Sequence, residues 1–159
     1  MLNNVDYIFR AKPIYEDDNE FVFGDLVHRN DLNSSRCFIS LGDMYECPNT
    51  EVEVDPETIC PCTNVRDCTG KCIYLHDIVE YDDDTYKFKG EVVFEAGAYG
   101  IGSKDTIELD LRNSCTCDNF VSFWELLWNS EDPCSDEVPV NVVGNVFDNK
   151  ELLYMKNNQ

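Results

Sequence analysis

At 159 residues, 43% of them apolar and 12% aromatic, the chain is long enough for one fair-sized core or two small β modules. A tiny disulfide scaffold and an acidic disordered tail are thereby excluded. Thirty-two acidic residues against 12 Lys and Arg leave a formal charge of -20, which repels nucleic-acid phosphate at long range and argues against direct nucleic-acid binding.

The first 20 residues carry Asp6, Arg10 and Lys12 where a secretory signal needs an uninterrupted apolar stretch, so a cytoplasmic location is expected. No apolar run approaches the roughly 18–20 residues that cross a bilayer; the longest, residues 120–128, is interrupted by Glu125. No membrane association is expected.

Tyr7-Ile8-Phe9-Arg10 and Phe21-Val22-Phe23-Gly24-Asp25-Leu26-Val27 are β-rich runs that predict a hairpin. A second pair is predicted over residues 37–41 and 50–54, with Gly42-Asp43 and Pro48-Asn49 as turn residues. Residues 1–54 thus read as an N-terminal β module. From residue 55 to 72, Pro56, Pro61, Asn64, Asp67 and Gly70 disfavour regular structure and predict an ordered connecting loop. Strand character returns at 73–81 and 87–95 across Asp82-Asp83-Asp84, then at 99–102 and 106–111. Phe120, Phe123, Trp124 and Leu127 share one helical face, predicting a helix over 118–128 with Asp118 as its N-cap. Residues 138–147 read as a last strand. The fold class is mainly β: residues 73–155 are expected to form a small SH3-like barrel, with Ile73, Ile78, Val79, Val93 and Val143 in its core.

Nine cysteines without a signal peptide read as thiols. Cys60, Cys62, Cys68 and Cys72 form C-x-C-x5-C-x3-C with His76 four residues on, the weak candidates for a zinc site. The C-x-C spacing is unusual for structural zinc, and free cysteine commonly acts as a small apolar residue, so no cofactor is the leading expectation. Cys115, Cys117, Cys134 and His28 are still weaker candidates for a second site. For nucleophilic catalysis His28 and His76 are the only imidazoles, and neither lies in a catalytic signature. Gly97-Ala98-Tyr99-Gly100-Ile101-Gly102 lacks the Lys and helix of a phosphate loop, and its glycines read as strand bends or bulges.

Three stretches, in order along the chain, resemble the YopX family of phage and prophage proteins. They are Phe21 to Val27; Val54-Asp55-Pro56-Glu57-Thr58-Ile59 with Thr63, Asp67, Gly70-Lys71 and Ile73-Tyr74-Leu75-His76-Asp77-Ile78-Val79; and Val142-Val143-Gly144-Asn145-Val146-Phe147-Asp148-Asn149 before Glu151-Leu152-Leu153. His76 stands where the family usually has Gly, and the four clustered cysteines replace Gly, Tyr or polar residues. The resemblance implies a mostly β fold and a phage or prophage origin, with no assigned activity or catalytic residues. The motif-loop residues Pro56, Glu57, Thr58, Thr63, Gly70 and Asp77 are the candidate site, and Thr58, Thr63 or Asp77 is expected to satisfy backbone amides that have no strand neighbour. The resulting expectation is a non-enzymatic accessory protein that binds another protein or itself. Two other readings stay open: a zinc-stabilised binding module, and an acidic nucleic-acid mimic that inhibits a host protein.

Overall fold

In the computed structural model the described residues are 8–15, 19–32, 34–41, 50–82, 87–103, 109–111, 114–116, 119–130 and 135–154, with the side chains of 109–111 and 114–116 excluded. Gly42-Asp43, Pro48-Asn49, Asp83-Asp84, residues 106–108, Cys117, Asp118 and Cys134 lie outside them. The described residues are mainly β with one α-helix, and the chain divides into two compact units, Met1–Cys62 and Thr63–Gln159.

The first unit contains β1 (Phe9–Ala11), β2 (Val22–Asp31), β3 (Ser34–Ser40), β4 (Glu51–Val54), a 3-10 turn at Pro56–Thr58, and the start of β5 (Cys60–Arg66). Its strands lie in the order β4-β3-β2-β1-β5, all antiparallel. Both expected hairpins form, and β2 and β3 run further than expected, meeting at Asp31 and Ser34. The polar residues 28–31 and 34–36 hide this extension. They stand on a solvated arm that has no need of hydrophobic alternation. Ala11, Cys37, Ile39 and Val54 make the core, with Phe9, Val22, Leu26 and Ile59 against it. Beyond β1 the chain meets β4, where Ile14 N donates to Glu53 O at 3.1 Å and Asp55 N to Lys12 O at 2.9 Å.

Residues 55–72 hold more regular structure than expected, because β5 occupies Cys60–Arg66. Pro61 is accommodated opposite Phe9, while the next amide, Cys62 N, donates to Ile8 O. Asn64 takes φ 61°, a conformation that Asn tolerates better than most residues.

The second unit begins within β5 and continues through β6 (Cys72–Tyr74), β7 (Asp77–Asp82), β8 (Lys87–Glu95), β9 (Ala98–Gly102), β10 (Leu109–Leu111), β11 (Ser114–Thr116), β12 (Phe120–Ser122), α1 (Phe123–Trp128) and β13 (Asn141–Asn145). Its five-stranded antiparallel sheet has the order β12-β9-β8-β7-β13, and β10 and β11 form a separate ribbon. The β8–β9 hairpin turns on Ala96 and Gly97, both at positive φ as a type I′ turn requires. Gly100 lies directly under the Phe120 ring. A Cβ there would collide with the Val121 carbonyl oxygen and approach the ring to 2.7 Å.

The expected SH3-like barrel is not closed. β12 and β13 are the two edges of the sheet, and the chain before β13 bonds to the end of β5: Val138 N donates to Arg66 O and Cys68 N to Val140 O. The core is Ile73, Val79, Val92, Ile101, Val121, Phe123, Leu126, Val138 and Val140. Ile73, Ile78 and Val79 are fully buried as expected, whereas Val93 is half-buried and Val143 is 37% exposed. On β8 the strand alternation buries Val92 in place of Val93. On β13 a bulge separates the pairs Val142↔Val79 and Gly144↔Ile78, leaving Val143 as the extra, outward residue.

The helix is shorter than the expected 118–128. Phe120 belongs to β12, and Ser122 is the N-cap, with its hydroxyl accepting from Glu125 N while Glu125 Oε2 accepts from Ser122 N.

Candidate functional site

The motif-loop residues divide between the two units and are held by backbone work in each. In the first, Asp55 Oδ1 accepts from Glu57 N at 3.0 Å, and Pro56 opens the 3-10 turn where no amide donor is needed. Thr58 is buried: its Oγ1 donates to Asp55 O at 2.8 Å and accepts from the buried Lys12 amide at 2.9 Å. Pro56 and Glu57 are exposed.

In the second unit Thr63 Oγ1 donates to Ile73 O at 2.8 Å and accepts from Val65 N at 3.3 Å. Gly70 turns the chain at φ 82°, and its carbonyl accepts from Arg66 Nη1 at 2.8 Å. Asp77 is 1% exposed and its Oδ2 accepts from the buried Tyr74 amide at 2.8 Å. His76, between them, takes φ 66°, with Nδ1 2.7 Å from Glu91 Oε1 and its ring edge-on to Phe147. Its amide donates to Val92 O and its carbonyl accepts from Val146 N.

Asp67, which sequence reasoning named in the second motif stretch but left out of the candidate site, holds three backbone amides. Its Oδ1 accepts from Thr69 N, Thr69 Oγ1 and Lys71 N, and its Oδ2 from Val142 N at 3.1 Å. Burial pushes this carboxyl up, but the Thr69 hydroxyl and the amides of Val142, Lys71 and Thr69 outweigh it and hold it below the ordinary value of 3.8. The pattern Asp-x-Thr-Gly-Lys signals such a turn, since Asp bonds amides two residues on.

The cysteines divide likewise. Cys60 and Cys62 are buried on the same face of β5, Cys72 is half-buried and Cys68 exposed. The Cys60 thiol donates to Thr58 O at 3.3 Å, and the Cys68 thiol to Asn141 Oδ1 at 2.9 Å. Among the described residues no group of three or more His, Cys, Asp or Glu is placed to hold a metal ion. His28 Nε2 lies 2.6 Å from Ser35 Oγ on the open β2–β3 arm.

The feature that sequence reasoning misplaced is on α1. Because the helix starts at Phe123, its buried stripe is Phe123, Leu126 and Leu127, at i, i+3 and i+4. Trp124, expected on one helical face with Phe120, Phe123 and Leu127, points away from this stripe with 67% of its surface exposed, and Trp128 is 61% exposed. The two indoles sit one turn apart, ring centroids 6.0 Å and planes 31° from each other. Phe94, 57% exposed, packs edge-on against Tyr99, which neighbours Gly100, the register partner of Ser122 that caps the helix.

Among curated proteins none matches the chain. A family model described as YopX protein matches residues 8–154, nearly the whole length and inclusive of all three motif stretches, and the chain belongs to the YopX family.

Proposed function

We propose that this YopX-family chain is a phage- or prophage-derived accessory protein that acts in the cytoplasm by binding another protein rather than by catalysing a reaction. The observation that carries the reading is the Trp124–Trp128 pair, two large aromatic side chains more than half exposed on the one α-helix. Exposed tryptophans cost solubility, and Trp is the residue type most enriched where binding energy concentrates. The polar motif residues support the same reading from the other side. Thr58, Thr63, Asp67 and Asp77 spend their hydrogen bonds on their own backbone.

The test is affinity capture from host lysate by the native chain and by the Trp124→Ala/Trp128→Ala variant, followed by titration of each identified partner in purified form. Binding at least tenfold weaker for the variant, with its circular dichroism unchanged, is the expected result. Equal affinity of native chain and variant for every purified partner overturns the role of the pair.

A further inference from the structure

Resting on that protein-binding reading, we infer that the partner seated on Trp124 and Trp128 presents a basic segment, with Arg or Lys side chains laid over the indole faces. Three observations point there. First, from residue 113 to 149 the chain contains no Lys or Arg but seven acidic residues, and the two tryptophans lie within this stretch. Of these acids Asp136 is paired with Arg66, and Glu137 is exposed. Second, this protein already places cations over aromatic rings: Arg10 and Lys12 over Phe21, Arg29 and Arg36 over Phe38. The indole is the best side chain for that contact, yet among the described residues no cation covers Trp124 or Trp128. Third, a second copy of the chain is a poor occupant, because each carries a formal charge of -20. An acidic stretch of chain that exposes apolar, cation-accepting rings is complementary to a segment that mixes Arg or Lys with Leu-like residues.

Calorimetric titration of the full chain with a synthetic peptide of alternating Arg and Leu tests this, using a second peptide with every Arg replaced by citrulline, which keeps shape and removes charge. Trp124→Leu/Trp128→Leu keeps an apolar helix face without the indoles, and its circular dichroism checks the fold. The expected result is binding of the Arg peptide, weakened about tenfold both by citrulline and by the Leu variant. Equal binding to the Leu variant overturns the inference in favour of diffuse charge attraction. Equal binding of the citrulline peptide overturns it in favour of purely apolar docking and leaves the protein-binding reading standing. A native dimer, lost in the Leu variant by sedimentation, overturns it in favour of a second copy. No binding of either peptide also overturns it, while capture of a non-basic partner through the tryptophans would still uphold the broader reading.

Discussion

Asp67 gathers four donors on one carboxylate that is only 2% exposed, so its worth depends on remaining ionised. Its folded value lies below the ordinary 3.8, so the stabilisation is fully present above that value and is lost as pH falls through the lower, folded one. Asp67→Asn puts an amide donor among donors and is expected to cost about 1–3 kcal/mol at neutral pH. Thermal unfolding of both proteins should show the gap narrowing below pH 3.8. Asp77→Ala leaves the Tyr74 amide without its carboxylate and is expected to cost about 1–3 kcal/mol, read from the same melts. His76 opposes two effects. Its φ of 66° strains a residue with a Cβ, whereas the side chain contributes the Glu91 hydrogen bond and the Phe147 contact. His76→Gly exchanges one for the other and should shift stability by less than about 1 kcal/mol, while β-branched His76→Val keeps the strain and loses the bond, costing about 1–3 kcal/mol. Equal midpoints for the two variants would show that the backbone there is not strained.

Strands were legible wherever one face had to be buried, as in Ile73, Ile78 and Val79, because period-two alternation follows from that burial. It failed where geometry changes without a compositional mark. The bulge at Val143 turns a valine outward, and the open β2–β3 arm continues through polar residues. The helix start was readable in principle from Ser122-Phe123-Trp124-Glu125, a capping box, but the apolar period reaching back to Phe120 masked it. The N-cap was read at Asp118, four residues before Ser122, and the helical face read from Phe120 included Trp124, which the structure exposes. Gly100 was read as permitting a bend, and its function is instead close approach beneath Phe120. Gly100→Ala must displace the ring or part β9 from β12, so it is expected to destabilise by about 1–3 kcal/mol. Amide exchange should then quicken first in Val121 and Ile101, the paired residues next to it. Uniform quickening across the sheet would show that the contact is not local.

The boundary between the two units falls inside a strand, after Cys62, within residues 55–72, whose turn-forming residues suggested a connecting loop. Charge was legible from the outset, and the structure adds the pairs that form among the described residues. Arg29 pairs with Glu51, Arg36 with Asp31, Arg66 with Asp136, Lys87 with Asp82 and Lys89 with Glu80. These pairs engage five of the 12 Lys and Arg residues, and the 32 acids leave a formal charge of -20. An exposed pair is worth about 0–1 kcal/mol, so self-repulsion should outweigh the pairs. Salt screens both, with a Debye length of about 10 Å at 0.1 M, but it removes the larger, unfavourable contribution of the surplus acids. The melting temperature is therefore expected to rise as sodium chloride is increased from about 0.02 M to about 0.3 M, a range in which screening acts before salt effects on apolar burial become large. A scanning calorimetry series at pH 7 measures it directly. A falling midpoint would mean that the five ion pairs together contribute more to the folded state than the repulsion among the remaining carboxylates removes from it.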